Sequence, residues 1–373
     1  MKSLSVVLVL TVLMAVPLHA EDVLPGTKQV TVFFEKDRFA GWPANNGIWN
    51  WGDEIVVGFT LGWYKNSGGG HPIDRDRPSA PRLARSLDGG ETWVIETPSY
   101  LDENGNEKEA IESPGGIDFT HPDFALLLRM AGSNEGYSRF YFSYDRCKNW
   151  QGPYALPTFD RKGIFARNDY IVNGKDDCLI FITAAEDVGG EGWPLCARTT
   201  DGGKTWQFQG WIGKQPAQHG YSIMPSTVRV DENSLLSIIR RRSDVDNPTT
   251  WWIEAYLSPD NGHKWYMLDQ PYVNNAGNPA SMITLKDGRI ALTYGYRLPA
   301  YGVRAMISAD KGQTWSPEVV LRGDGGEWDL GYPRTAQRAD GKCVTAYYFN
   351  AAGRNERSIE CSIWDPNAVP MSK

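Results

Sequence analysis

The sequence predicts an all-β fold, a six-bladed β-propeller whose blades are four-stranded antiparallel sheets with Asp-box turns. Three observations predict it. A motif of the form Ser-x-Asp-x-Gly-x-Thr-Trp occurs in five versions, strand-like apolar runs recur in the same phase, and the chain has 39 glycines, 23 prolines and 15 tryptophans. A repeat of this length is typical of one supersecondary unit copied around an axis.

The five versions of the motif begin at Ser86, Ser143, Thr199, Ser258 and Ser308, and their aspartates lie 57, 56, 59 and 50 residues apart. The second, SYDRCKNW, lacks the Gly and the Thr, and the fourth, SPDNGHKW, lacks the Thr. In the motif an aspartate acceptor and a residue that tolerates positive φ suit a tight hairpin between strands. The motif is therefore interpreted as a structural turn, with its tryptophan packed between neighbouring units.

Strand-like runs rich in β-branched and aromatic residues accompany the boxes. They read EIVVGF, FALLLRM, DYIVNG with CLIFITA, SLLSIIR, RIALTYGY and KCVTAYYF. Residues 21–373 are expected to form a single propeller domain, because a period of 55–59 residues divides them into six units, five with a box and one without. Residues 356–365 and the early strand around Val30–Phe34 are expected to pair and close the ring.

The first twenty residues, MKSLSVVLVLTVLMAVPLHA, have a lysine, an apolar core and a small residue at the end. This pattern is typical of a secretory signal peptide cleaved after Ala20, and it is too short for a membrane anchor. The mature protein is therefore expected to be secreted or periplasmic, without a membrane span. Its oligomeric state does not follow from the sequence.

The net charge of −7 argues against a nucleic-acid partner, although it leaves room for a local basic pocket. The five cysteines are odd in number and lack metal-ligand spacing. At most two disulfides could form, and no metal or other cofactor is expected.

The repeated box resembles that of the sialidase (neuraminidase) superfamily, the BNR-repeat six-bladed propellers, along nearly the whole mature chain. The resemblance implies a glycoside hydrolase with its boxes at one rim and its site in a funnel at the other. In that family a tyrosine is the nucleophile, a glutamate helps to remove its proton, and an aspartate on a loop is the general acid/base. Three arginines clamp the carboxylate of the sugar.

The resemblance places these roles on particular residues. Tyr332, in GYPRTAQRADGKCVTAYY, opens the last blade as the nucleophile does. Asp74, in HPIDRDRPSAPRLARSLDGG, matches the acid/base loop, with Asp76 as a near alternative. Arg240 ends SLLSIIR at the place of the second arginine. Because side chains alternate along a strand, Arg242 is expected to share its side.

The third arginine matches either Arg297 or Arg304, with Arg304 preferred because it begins the strand that leads into a box. Two positions depart from the family. Gly41 stands where the first arginine is expected, so Arg38, three residues upstream, would have to replace it. Met224 stands where the assisting glutamate is expected, and methionine cannot accept a proton.

Glu186 and Glu254 are the carboxylates that neighbouring strands could offer instead. Trp42 and Asp123, in turn segments assigned to the funnel, complete the candidate substrate-binding residues. An indole face suits the C–H face of a pyranose, and packing between blades is the alternative for each tryptophan. Three histidines in the same segments are further candidates for a general base: His71, His121 and His219.

Three functions are compatible with these residues, and each has a glycan or polysaccharide as its partner. The preferred one is a secreted exo-glycoside hydrolase that removes a terminal acidic sugar. The others are a non-catalytic glycan-binding propeller and a polysaccharide lyase in which His and Tyr abstract a proton. Three guanidinium groups converging on Tyr332 would favour the hydrolase.

Overall fold

Six small antiparallel sheets form the six blades of a β-propeller. The computed structural model describes residues 22–371 except 67, 131–136, 186–190, 218 and 244–248. The predicted signal peptide, 1–20, and Glu186 lie outside these residues. Among the described residues, no helix is both long enough and apolar enough to cross a bilayer.

The first three blades follow the N-terminal strand β1 (Lys28–Phe33). Blade one consists of β2 (Arg38–Gly41), the short helix α1 (Pro43–Asn46), β3 (Ile48–Trp51), β4 (Glu54–Trp63), β5 (Ala80–Ser86) and β6 (Val94–Glu96). Blade two consists of β7 (Ala125–Met130), β8 (Ser138–Ser143) and β9 (Gln151–Ala155). Blade three consists of β10 (Ile164–Phe165), β11 (Tyr170–Val172), β12 (Cys178–Ala185), β13 (Glu191–Thr199) and β14 (Gln207–Trp211).

The last three blades are four-stranded. Blade four consists of β15 (Tyr221–Arg229), β16 (Leu235–Arg242), β17 (Trp251–Ser258) and β18 (Tyr266–Val273). Blade five consists of β19 (Ala280–Thr284), β20 (Ile290–Tyr296), β21 (Gly302–Ser308) and β22 (Val319–Arg322). Blade six consists of β23 (Gly331–Gln337), β24 (Cys343–Phe349), β25 (Ser358–Trp364) and β1.

The ring closes where β1 pairs antiparallel with β25, as the sequence predicts. The register joins Lys28 to Ile363 and Thr31 to Glu360, so the N-terminal strand is the outer strand of the last blade. Trp364, at the end of β25, is fully buried. The pairing of β1 with β25 completes the last blade and closes the ring, an arrangement that leaves only short, protected sheet edges.

Blade two has three strands in the described part of the chain, where the repeat predicts four. The segment before β7 bonds to blade three instead of lining the axis. The amide of Ile117 donates to the carbonyl of Gly202 at 3.0 Å, and the amide of Phe119 donates to the carbonyl of Lys175 at 2.8 Å. The backbone groups that would have formed an inner strand are therefore satisfied elsewhere.

The boxes are turns held by the aspartate. In the first, Ser86 Oγ donates to Asp88 Oδ1 at 2.8 Å, and Thr92 donates to both carboxylate oxygens, through its amide at 2.9 Å and its hydroxyl at 2.6 Å. The hydrogen bond from Thr92 lowers the pKa of Asp88 to about 2. Because a carboxylate that accepts several hydrogen bonds favours its charged form, the turn is stable while the aspartate is ionised.

The second box keeps this geometry although its sequence has diverged. Asn149 replaces the threonine, and its Nδ2 donates to Asp145 Oδ2 at 2.6 Å. Arg146 and Cys147 adopt φ of 57° and 67° without a glycine. Trp150, the box tryptophan, packs its ring against that of Trp49 in blade one at 5.4 Å. The predicted packing between blades is confirmed for this pair.

The boxes define one rim of the propeller, the box rim. Ser86, at the end of β5, pairs with Ile55 near the start of β4. The other end of β4, Trp63, pairs with Arg38 and therefore lies at the opposite rim, the funnel rim. All five cysteines are buried and free, so none of the disulfides allowed by the sequence forms.

Asp169 is a buried carboxyl between the inner strands of blades three and four. Its Oδ1 accepts from the amide of Thr227 at 3.3 Å, and its Oδ2 has no hydrogen-bond partner among the described residues. Burial raises its pKa to about 7, against the opposing charge of Arg334 on β23. Asp169 is therefore neutral in acid and must ionise inside the protein near neutral pH.

We expect Asp310→Ala in the fifth box to lower the free energy of unfolding by about 1–3 kcal/mol. The substitution removes the acceptor for Ser308 Oγ and for the amide and hydroxyl of Thr314, at 2.6–2.9 Å. Urea denaturation measures the loss. Asp269→Ala is the matched control, because Asp269 is exposed on β18; equal losses in the two variants would contradict the role given to the box.

We expect Asp169 to make the protein less stable as the pH rises from about 4 to about 7. In that range the folded state retains a proton on Asp169 that the unfolded chain has released, so the free energy of unfolding falls, by about 4 kcal/mol at most from this group. Asp169→Asn removes the contribution. Denaturation at pH 5 and pH 8 should show that the free energy of unfolding of the variant, relative to that of the natural protein, is higher at pH 8 than at pH 5. The same difference between the two proteins at both pH values would exclude the raised pKa.

Candidate functional site

Tyr332 lies at the funnel rim, in a break of the β23–β24 pairing between Gly331 and Arg334. Its φ is 49°, a left-handed conformation that costs a tyrosine free energy. Asn278 supports this backbone, because its Oδ1 accepts from the amides of Tyr332 at 3.0 Å and Gly295 at 3.2 Å. The break turns the Tyr332 side chain out of the strand's regular alternation.

Two other blades contain the same device. Met224 has φ of 56° in a break of the β15–β16 pairing, and Trp42 has φ of 61° before α1. Both side chains join the cluster that contains Tyr332. Met224 therefore lies close to Tyr332, as expected of the position where the family has its assisting glutamate. The side chain at this position is a thioether and not a carboxylate.

Arg240 is the arginine that touches Tyr332. Its Nη1 donates to Tyr332 Oη at 2.9 Å and lies 3.8 Å from Met224 Sδ. Its Nε makes no hydrogen bond with the described residues, and no carboxylate among them lies within ion-pairing distance. Arg240 is therefore a partly buried cation at the end of β16 without a carboxylate partner in the described chain.

The three arginines of β16 alternate as predicted. Arg240 and Arg242 share one side, with guanidinium carbons 5.2 and 4.5 Å from the ring of Tyr221. Arg241 lies on the other side, 3.3 Å from Glu254 Oε1. Glu254 is thereby committed to Arg241 and does not replace the missing glutamate.

Arg297, and not Arg304, lies beside Tyr332. The guanidinium carbon of Arg297 is 5.4 Å from the Tyr332 ring, and its Nη2 donates to Tyr348 Oη at 2.7 Å. Arg304 forms an ion pair with Glu318 inside blade five. The preference for Arg304 is therefore not supported, since Arg297 leaves β20 toward the funnel.

Arg38 and Gly41 occupy the rim of blade one. The Arg38 guanidinium stacks 4.2 Å from the centre of the Trp63 ring, and its Nε donates to the carbonyl of Gly62 at 2.8 Å. A Cβ at Gly41 would lie 2.6 Å from the ring of Phe39, so a larger residue does not fit. The structure thus places Arg38 on Trp63, and not on Tyr332.

Arg167 is a residue that sequence reasoning missed. Its charge acts on Tyr332, but its guanidinium is ion-paired with Glu191, and its Nε donates to Asn45 Oδ1 at 2.9 Å. The signal that could have found it is a basic residue directly before Asn168 in a segment assigned to the funnel.

The electrostatic result is a phenol that ionises more easily than usual. Burial raises the pKa of Tyr332, but the charges of Arg240, Arg297 and Arg167 and the hydrogen bond from Arg240 outweigh it, and the pKa lies below its ordinary value. Three guanidinium groups therefore converge on Tyr332. Because Arg167 is paired with Glu191 and Arg297 lies 3.9 Å from Asp329, Arg240 is the cation of the three without a carboxylate partner among the described residues.

His71 and Asp329 form a pair at the same rim. His71 Nδ1 lies 2.6 Å from Asp329 Oδ1, and the fully buried Asp329 also accepts from Tyr348 Oη at 2.5 Å and from Arg357 Nε at 3.0 Å. Burial raises the pKa of Asp329, but His71, Arg297 and Arg357 outweigh it and hold the pKa below the usual range. Asp329 is thus an ionised carboxylate that orients the imidazole.

Asp74 lies on the loop beyond His71. Its Oδ1 is 3.1 Å from Lys65 Nζ, which also contacts Asp76 at 2.7 Å. The hydrogen bond from Lys65 lowers the pKa of Asp74. A general acid needs a raised pKa, so this environment does not suit that role.

Asp123 is at the wrong rim for the site. It precedes β7, whose start pairs with the second box, so that β7 corresponds to the second strand of the other blades. Its carboxylate pairs with Arg146 Nε of that box at 2.6 Å. His121 is beside it, with Nδ1 3.2 Å from the Asp123 amide. Both were assigned to the funnel because β7 was taken for an inner strand.

Aromatic side chains and two cavities surround the tyrosine. The ring centres of Trp42 and Trp328 lie 5.1 and 5.9 Å from that of His71. A cavity of about 280 Å³ is lined by Arg240, Arg297, Trp328 and their neighbours, Trp251 and Ala276. A second, of about 420 Å³, is polar, glycine-rich and also bordered by Trp328.

No cluster of three or more His, Cys, Asp or Glu side chains in the described chain could hold a metal.

A family profile described as "BNR repeat-like domain" matches residues 119–344. The chain belongs to the BNR repeat-like domain family. A comparison with curated proteins gives no significant match. Among solved structures, an unknown-function protein from Dyadobacter fermentans is similar with a TM-score of 0.67 and 20% identity over 91% of this chain and 99% of that one.

Two further neighbours in structure are glycoside hydrolases by name. The NanB sialidase from Streptococcus pneumoniae has a TM-score of 0.59 at 12% identity, covering 91% of this chain and 71% of that one. The alpha-L-arabinanase from Penicillium chrysogenum has a TM-score of 0.62 at 15% identity, covering 93% and 100%. At these identities the likeness shows the fold alone. Any chemistry of this protein has to be argued from its own residues.

We expect Arg240→Gln to raise the pKa of Tyr332, because it removes the nearest cation and the hydrogen bond to the phenol. Tyrosine labelled with ¹³C at Cζ, titrated by NMR, reports the ionisation, and Tyr332→Phe assigns the signal. Arg241→Gln is the control, since Arg241 faces Glu254. An unchanged Tyr332 pKa in Arg240→Gln would show that Arg240 does not control the phenol.

Proposed function

We propose that the protein is an exported exo-glycoside hydrolase that removes a terminal acidic sugar from a glycan, with Tyr332 as the nucleophile. One observation carries the proposal: a buried phenol accepts a hydrogen bond from Arg240 at 2.9 Å and lies under a second cation, Arg297. This arrangement favours the phenolate, which is the reactive form of a tyrosine nucleophile.

An acidic sugar fits the charge of the pocket. Arg240 is partly buried and has no carboxylate partner among the described residues, so a bound anion would neutralise it. A guanidinium offers parallel N–H groups to a carboxylate, and such charge-assisted bonds are strong when water is excluded. A carboxylate nucleophile would be repelled by this substrate, whereas a tyrosine is neutral until it ionises.

The walls of the pocket suit a pyranose ring. Trp328 lines the same cavity as Arg240 and Arg297, and Trp42 lies in the adjoining aromatic cluster. Aromatic faces with a few polar groups are typical of small-molecule sites, and 280 Å³ approximates the lower end of the range for such sites. Arg242, on the side of Tyr221, extends the positive charge toward the rim.

The absence of a glutamate beside Tyr332 separates this proposal from the family pattern. At Met224 the thioether cannot take a proton, so the arginines replace a base by lowering the pKa of the phenol. Arg38 and Arg304 have no part in this site. Export is proposed from the signal-like residues 1–20.

We expect the purified protein to release free sugar from 4-methylumbelliferyl glycosides of an acidic sugar, either a sialic acid or a hexuronic acid. Tyr332→Phe should lower kcat/KM by about 10³-fold or more, because it removes the nucleophile. Tyr272→Phe, at an exposed tyrosine of β18, is the matched control and should be unaffected.

Two outcomes would overturn the proposal. Ligand binding by calorimetry without turnover of any glycoside would identify a glycan-binding propeller. Cleavage of a uronate polymer with the near-ultraviolet absorbance of an unsaturated product, and no such hydrolysis, would identify a lyase.

A further inference from the structure

We infer that His71, oriented by Asp329, is the general acid/base of the proposed hydrolysis, in place of Asp74. The inference rests on the proposed function and names a catalytic residue for it. The observation is a histidine–carboxylate pair, 2.6 Å between Nδ1 and Oδ1, set in the aromatic wall beside Tyr332.

The pair has the geometry of an oriented proton carrier. Asp329 is fully buried and held by three further side chains, since it accepts from Tyr348 and Arg357 and lies 3.9 Å from Arg297 Nη2. A carboxylate on Nδ1 fixes the tautomer and the ring plane of a histidine. Asp329 is thus a positioning residue, and Nε2 is the atom of His71 that would exchange protons with substrate.

His71 also has the right place relative to Tyr332. Its ring centre lies 6.5 Å from that of Tyr348, which lies 5.8 Å from that of Tyr332. One side chain, Tyr348, therefore contacts both, and its hydroxyl bonds to Asp329. Proton donor and nucleophile are supported by the same buried residues of blade six.

The two cavities offer separate places for the two parts of the substrate. The smaller holds Arg240 and Arg297 and would take the acidic sugar. The larger is lined by Gly70 and Pro72, the two neighbours of His71 in the chain, and both cavities share Trp328. The ring of His71 lies 5.9 Å from that of Trp328, which borders both cavities. We therefore place the glycosidic oxygen, between the sugar and its leaving group, beside His71. The polar 420 Å³ cavity would receive the leaving group.

Asp74 lacks these features. Its carboxylate is tied to Lys65 at 3.1 Å and to the amide of Asp76 at 3.2 Å. To give a proton to a leaving group it would first have to gain one beside a cation. The Nδ1 of His71 instead faces a carboxylate, that of Asp329, at 2.6 Å.

The steps balance with one proton held between Tyr332 and His71. In the reactive form Tyr332 is a phenolate beside Arg240, and His71 is an imidazolium beside Asp329. Tyr332 Oη bonds to the anomeric carbon, the glycosidic bond breaks, and its electron pair stays on the leaving oxygen, which takes the proton from His71 Nε2. Water then bonds to the anomeric carbon, gives its proton to His71, and Tyr332 leaves as phenolate.

The test compares leaving groups. We expect His71→Gln to lower kcat/KM by about 10²–10⁴-fold on the natural disaccharide, whose leaving alcohol needs a proton. The phenol of the 4-methylumbelliferyl glycoside can leave with little proton donation. On this substrate the rate of the first step, in which the glycosidic bond breaks, should fall by less than about 10-fold. Added azide should restore turnover of the aryl glycoside and yield a glycosyl azide. Asp329→Asn should show the same dependence on leaving group in a weaker form.

Two matched variants complete the experiment. His121→Gln changes a histidine at the box rim and should leave both substrates unaffected, and Asp74→Asn should not discriminate between them. If Asp74→Asn shows the selective loss and azide rescue while His71→Gln does not, the assignment of His71 is overturned and the hydrolase stands. If His71→Gln folds but loses both substrates equally without rescue, its role is structural. If no glycoside is cleaved by the natural protein, the proposed function fails and the role of His71 with it.

Discussion

The pairing of β1 with β25 is the contact on which the rest of the molecule depends. It joins residues more than three hundred positions apart and makes the N-terminal strand the outer strand of the last blade. Blade six supplies Tyr332 on β23, Tyr348 on β24 and Arg357 just before β25. Without this closure the inner strands would not face a common axis, and side chains from blades four, five and six would not meet. The funnel is therefore a consequence of ring closure.

Within the funnel the organising force is buried positive charge. Arg240, Arg297 and Arg167 are brought together at a desolvation cost that an isolated cation does not recover. Arg167 is compensated by Glu191, and Arg297 lies near Asp329 and bonds to Tyr348. Arg240 contacts the phenol rings of Tyr332 and Tyr221 and has no carboxylate within ion-pairing distance in the described chain. An anionic ligand would complete this balance, and the left-handed backbone at Tyr332 fits the proposed role of this residue.

The architecture and much of the site could be predicted from sequence because the box repeats in fixed phase. Its offsets pointed to Tyr332, Met224 and Arg240, whose side chains the structure brings together, and strand alternation separated Arg241 from Arg240 and Arg242. The same reasoning failed for Asp123, because blade two lacks a regular inner strand in the described residues. It also favoured Arg304 over Arg297. Which guanidinium enters the funnel depends on Glu318, a partner fourteen residues away on the adjoining segment.

The sequence by itself determined the propeller, the number of its blades and the chemical types near its tyrosine, since these follow from local turns and from a period. Only the tertiary structure decided which of those side chains meet. Arg167, His71 and Asp329 come from blades three, one and six. His71 and Asp329, which contact each other, are 258 positions apart in the sequence. No periodicity encodes such a contact. It arises because ring closure brings segments distant in sequence together at the funnel rim, where burial favours the pairing of opposite charges.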